Sequence, residues 1–189
     1  MSSTLMTTLP VVSIVMGSES DLPVMEECAK VLDELKVPYE VHVASAHRTP
    51  RRVAELAVAA RERGIKVFVA GAGGAAHLAG VIAAQTSLPV IGVPIDSSPL
   101  NGLDALLATA MMPGGVPVAT VAIGKAGARN AGILASQILA LADPGLERRL
   151  LEYKVFLGAA VEKADNSVKS QFRGRAGAGP GAAGTARKK

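Results

Sequence analysis

Three short runs in this chain carry side chains that could do chemistry, and each directly follows an apolar, strand-like segment. The richest is Ser45-Ala46-His47-Arg48-Thr49-Pro50. Histidine, with an unperturbed pKa of about 6.5, can both give and take a proton near neutrality. The adjoining arginine presents a planar fork of donors that can grip a phosphate at two points. Taken alone, the pair reads equally well as a surface histidine beside a solvated arginine. The second run is Gly17-Ser18-Glu19-Ser20-Asp21. Its glycine permits close backbone approach, and amides at a helix start together with serine hydroxyls attract phosphate. A bland use competes here, since Ser20 or Asp21 could simply cap the helix. The third run is Ala70-Gly71-Ala72-Gly73-Gly74-Ala75-Ala76-His77-Leu78. It fits a dinucleotide-binding spacing, but it sits in the third strand-to-helix unit, and Asp96 only loosely matches the acidic partner. A tight turn, or a wall of small residues on which a flat heterocycle could lie, would use the same glycines.

Other chemistries lack their residues. Gly124-Lys125 is followed by Ala126, where a phosphate-binding P-loop needs Ser or Thr. The histidines form no H-E-x-x-H pair, and Cys28, the single cysteine, cannot build a thiolate zinc site or a disulfide within one chain. Cys28 reads as a buried core thiol among apolar helical positions. His42 falls inside a strand alternation and reads as structural. No serine sits in a nucleophile elbow.

The elements that must position these runs follow from periodicity. Residues 11–16 are short and β-branched and end at Gly17, which predicts a buried strand. Val24, Cys28, Val31 and Leu35 then recur at helical spacing, with Glu26, Glu27, Lys30, Asp33 and Glu34 on the other face. Residues 39–44 read as the second strand. Thr49 then reads as an N-cap and Pro50 as the first residue of a helix that stops at Gly64. Strands over 66–70, 89–93 and 117–123 alternate with helices over 75–85, 103–111 and 129–141. This alternation predicts an α/β chain folded as a three-layer α/β/α sandwich, with a mostly parallel sheet of the flavodoxin-like or Rossmann-like kind. In such sheets ligands bind beyond the carboxyl ends of the strands, where all three runs lie. A charged amphipathic helix over 146–163 is expected to close the domain.

Charge distribution narrows the partners. The chain has 189 residues and a formal charge of +4, which by itself suggests nucleic acid. Residues 1–165 nevertheless hold all 16 acids against 14 of the 20 bases, a net charge of −2. Residues 166–189 carry the other six bases and no acid. The expected organisation is therefore one catalytic domain over 1–165, including the last helix, and a basic Gly/Ala/Arg-rich tail over 166–189, disordered from about Arg173. No nucleic-acid groove is expected on the body. The uncharged stretch over 67–95 is broken by seven Gly and Pro residues, so no membrane span is expected. The N-terminus lacks the basic start of a secretory signal, and a cytoplasmic location is expected.

Residues 17–21, 45–50, 70–78 and 122–127 (Ala-Ile-Gly-Lys-Ala-Gly), in this order and at this spacing, resemble the motif set of the 5-(carboxyamino)imidazole ribonucleotide mutase family. The resemblance spans about residues 11–157. It implies a mutase of de novo purine biosynthesis that moves a carboxylate from the exocyclic nitrogen of the imidazole to ring carbon 4, by loss and recapture of carbon dioxide, with no cofactor and no metal. It further implies His47 as the group that protonates the nitrogen and later takes the proton from carbon 4. Ser18 and Asp21 would hold the ribose phosphate portion and Arg48 the phosphate, while Ser45, Ala72, Gly73, His77 and Leu78 surround the base and carboxylate. The implied partners are the ribonucleotide substrate, a homo-octamer of this chain with sites between subunits, and transient coupling to the synthetase that makes the substrate. A related class carboxylates aminoimidazole ribonucleotide directly with carbon dioxide and shares these motifs. A nicotinamide-dependent oxidoreductase resting on the glycine run and a nucleic-acid module resting on the tail are the readings from other classes.

Overall fold

Alternating β-branched runs and amphipathic helices give a sheet covered on both faces in the computed structural model, which describes residues 9–173. The strands are β1 (Val12–Met16), β2 (Tyr39–Val43), β3 (Val67–Gly73), β4 (Val90–Ile95) and β5 (Ala119–Thr120). The helices are α1 (Leu22–Glu34), α2 (Pro50–Val58), α3 (Leu78–Ala83), α4 (Leu103–Ala110), α5 (Gly124–Ala140) and α6 (Pro144–Arg173). The strands pair in parallel in the order β2-β1-β3-β4-β5. This is the flavodoxin-like order, whose switch point lies between β1 and β3.

Burial explains the strand compositions. Every residue of β1 and β4 is buried, as is β3 up to Gly71, so these strands need apolar side chains on both faces. One layer packs α2 and α3 on the sheet through Val53, Leu56, Ala57, Leu78 and Ile82, with Phe68 and Ala70 of β3 beneath them. In the other layer α1 packs against α5. A Cβ on Gly132 of α5 would stand 2.9 Å from the Cys28 carbonyl, so this helix pair meets backbone to backbone. Cys28 is fully buried, and burial pushes its thiol up to about 12.

Several element ends differ from expectation. The third strand was expected to end at Ala70, with glycines forming a turn, yet β3 continues through Gly73, paired with Ile95. The glycines serve close packing there, since a Cβ on Gly71 would collide with the Met25 side chain of α1. The turn comes later, at Gly74 (φ 60°) and Ala76 (φ 43°), which delays α3 to Leu78. The fifth strand shrinks to two residues, and α5 starts at Gly124 rather than Arg129. The described residues from Arg148 to Arg173 fall in a separate unit, which continues α6. That helix passes the expected end at residue 163 because no glycine or proline interrupts residues 159–173, and Lys169 pairs with Asp165 one turn away. The disorder expected beyond Arg173 concerns residues outside the described range.

Candidate active site

The loops after β1, β2 and β3 gather around the switch point and enclose a cavity of about 360 Å³. All nine residues singled out from the sequence line it: Ser18 and Asp21 from the first loop, Ser45, His47 and Arg48 from the second, and Ala72, Gly73, His77 and Leu78 from the third. His42 lies elsewhere, on β2, with its Nε2 3.2 Å from Glu40 Oε1.

The first loop folds as a single 3-10 turn, Glu19–Asp21, with Ser18 as its N-cap. Ser18 Oγ accepts the Ser20 amide at 3.3 Å, and the Asp21 carboxylate accepts the Ser18 amide at 3.0 Å, a reciprocal capping box. Capping and cavity lining thus fall on the same two residues, so neither expectation displaces the other. Asp21 is only 5 % exposed. Burial raises its carboxyl above the ordinary value, against the lowering effect of amide bonds from Ser18 and Gly17 and of the Arg48 charge.

The second loop is tied to the first by Arg48, whose Nη2 donates to the Gly17 carbonyl at 3.0 Å. Ser45 Oγ accepts the Arg48 amide at 3.2 Å and its Nε–H at 3.4 Å, which fixes the base of the arginine. Thr49 precedes α2, but its side chain does not cap that helix. Its Oγ1 accepts the Ser45 amide at 2.9 Å and donates to the Ser45 carbonyl at 3.2 Å, closing the loop on itself. The loop that carries His47 is therefore pinned at both ends.

His47 Nε2 stands 2.7 Å from His77 Nδ1, and the two rings meet edge to face with centroids 4.8 Å apart. One nitrogen must donate and the other accept, so the protonation of each ring sets the tautomer of its neighbour. Beside it, Ala72, Gly73 and Ala76 offer a wall with no nucleophile. The cavity thus joins two histidines in hydrogen-bond contact, a fixed cation and a serine-rich loop on a surface a flat ring can approach. Among the described residues no group of three or more His, Cys, Asp or Glu side chains is arranged to hold a metal ion. Gly71 and Gly73 lie within β3, so they do not form the strand-to-helix turn that a dinucleotide phosphate would need.

Ser97, on the turn after β4, also lines the cavity and was not foreseen. Its one signal in the sequence is that it follows a strand end. Only the strand order, which sets β4 beside β3, brings it to the site.

Comparison with known proteins gives concordant relatives. Residues 11–157 match the model of the family described as AIR carboxylase. The chain is 62 % identical over 143 residues to the N5-carboxyaminoimidazole ribonucleotide mutase of Bacillus subtilis, an alignment covering 76 % of this chain and 88 % of that protein. To the mutase of the same name from Thermotoga maritima it is 58 % identical over 146 residues, covering 77 % and 84 %. Among solved structures, Treponema denticola PurE is similar with a TM-score of 0.74 at 26 % identity, over 85 % of this chain and 99 % of that one.

Proposed function

This chain belongs to the AIR carboxylase family, and on that premise we propose that it is a mutase of purine biosynthesis. It converts 5-(carboxyamino)imidazole ribonucleotide to 4-carboxy-5-aminoimidazole ribonucleotide. The observation that carries this reading is the convergence of the three loops on one cavity, with the His47–His77 contact of 2.7 Å inside it.

The reaction needs a group that is first an acid and then a base. The bond between the exocyclic nitrogen and the carboxylate carbon breaks, its electron pair returns to nitrogen, and protonated His47 supplies the proton there. Carbon 4 of the electron-rich ring then attacks the freed carbon dioxide. Neutral His47 removes the proton left on carbon 4, which restores the aromatic ring and the starting protonation state. Protons balance over the cycle, and no electron leaves the substrate. A carboxylate of pKa about 4 would be a poor proton reservoir at neutral pH, whereas an imidazole suits both directions. His77 orients the His47 ring through Nε2. Arg48 and the Ser18–Asp21 loop bind the ribose phosphate, and Ala72, Gly73 and Leu78 enclose the carbon dioxide without reacting with it.

A homo-octamer acting in the cytoplasm, fed by the synthetase that makes the substrate, completes the proposal. Its physical support is an apolar stripe on and flanking α4, where Leu100, Leu103, Leu107 and Met111 recur at helical spacing and are 52–79 % exposed. A stripe of that kind is suited to burial against a second copy. No described helix is long and apolar enough to cross a membrane.

The test supplies each candidate substrate separately and follows formation of the carbon-4 carboxylate. Turnover of the N-carboxylated ribonucleotide is expected. Turnover only from aminoimidazole ribonucleotide plus bicarbonate would replace the mutase with a direct carboxylase.

A further inference from the structure

The Ser97 hydroxyl occupies the space where a side chain on Gly73 would lie. A Cβ built on Gly73 would collide with Ser97 Oγ, at 3.1 Å from Ser97 Cβ and 3.2 Å from the Ile95 carbonyl. The hydroxyl therefore rests against the last residue of β3, on the same wall of the cavity as Ala72 and Gly73. The turn beneath it is fixed. Ser98 Oγ accepts the Leu100 amide at 3.2 Å and donates to Asp104 at 2.8 Å. Asn101 and Gly102 both adopt positive φ, and a Cβ on Gly102 would stand 2.6 Å from Ile123 Cγ2 and 3.2 Å from Asp96 Cα. Ser98 is thus consumed inside the turn. Among the described residues none hydrogen-bonds the Ser97 hydroxyl, which faces the cavity with its donor and acceptors unspent.

Resting on the mutase reading, we propose that Ser97 binds the migrating carboxylate: it donates a hydrogen bond to a carboxylate oxygen of the substrate and keeps hold of carbon dioxide while that molecule is bonded to neither nitrogen nor carbon. A neutral hydroxyl suits this task. A Lys or Arg would stabilise the starting carboxylate and so oppose its loss, and an Asp would repel it. With no base hydrogen-bonded to it, the serine stays a weak nucleophile and is not itself carboxylated. No bond to Ser97 forms or breaks in the cycle. Gly73 is the residue that makes room for it.

The experiment uses substrate carrying carbon-13 in the carboxylate, turned over in unlabelled bicarbonate, with the label retained in the product measured alongside rate. The parent protein is expected to retain most of the label. Ser97→Ala is expected to retain a clearly smaller share, to release uncarboxylated ribonucleotide, and to lose about tenfold in kcat/KM, the effect of one net hydrogen bond. Gly73→Ala reaches the same hydroxyl from the opposite side, and a folded variant, checked by its melting curve, should lose label in the same way. Label retention at the parent level in Ser97→Ala, with kcat/KM within about twofold, would overturn the role of Ser97. Failure of the parent protein to convert the labelled substrate at all would instead sink the mutase reading beneath it.

Discussion

Replacing Arg48 by methionine removes a guanidinium that serves two functions. Its Nη2–H braces the Gly17 carbonyl at 3.0 Å and its Nε–H reaches Ser45 Oγ at 3.4 Å, so the rest of the fork is left to meet a ligand. On the proposed reading that ligand is the substrate's phosphate. A hydrogen bond to a charged group is worth about 1.5–3 kcal/mol, which corresponds to a loss of affinity of roughly 10- to 150-fold. The phosphate lies away from the bonds that change, and Arg48 would hold it equally in ground and transition states. The loss should therefore appear in KM, with kcat nearly unchanged. Lysine at the same position keeps the charge but cannot bridge the Gly17 carbonyl and a phosphate with a rigid fork, so Arg48→Lys should fall between parent and methionine. Initial rates of carbon-4 carboxylate formation over a range of substrate concentrations separate the two constants, and a thermal melt confirms folding. A folded Arg48→Met protein with the parent's KM would refute the assignment of Arg48 to the phosphate.

Two further predictions test how the site is supported. Burial raises the Asp21 carboxyl above its ordinary value, so its contribution to stability is full below the unfolded pKa and is lost as pH rises through the folded one. Asp21→Asn keeps an acceptor for the Ser18 amide without the charge, and its Tm relative to the parent should rise between about pH 4 and about pH 7 while KM worsens; a flat difference would contradict the burial argument. Gly71→Ala forces the Met25 side chain aside, since the new Cβ would stand 2.9 Å from its Cγ, and should cost about 1–3 kcal/mol in urea unfolding with KM unchanged. Parent-level stability in that variant would mean that Met25 relaxes without cost.

Much of the scaffold could be read from periodicity, because β1, β2, β4 and α4 are bounded by composition that the structure uses in the expected way. Glycine misled the reading where it served packing rather than turning. Gly71 and Gly73 extend β3 because neighbouring side chains, Met25 and Ser97, fill the space their own would take. Gly127 likewise belongs to α5, where a Cβ would collide with the Ala122 carbonyl, whereas Gly124 opens that helix at positive φ (73°). Local signals therefore misplaced the boundaries that tertiary contact decides. The candidate site was legible loop by loop, since each motif follows a strand. Its joins were not: the His47–His77 contact spans 30 residues, the Arg48–Gly17 bond spans 31, and Ser97 enters only because β4 pairs with β3. Thr49 shows the same limit at short range, where its side chain chose Ser45 over the helix it precedes.

In the proposed reaction His47 carries the proton in both directions, and the turnover number of His47→Asn at saturating substrate reads that role most directly. Asparagine stays polar and compact at this position but cannot carry the proton. The kcat for the N-carboxylated ribonucleotide is expected to fall by about 10³-fold or more in a folded protein. A kcat within about tenfold of the parent would contradict it and remove His47 from the chemistry.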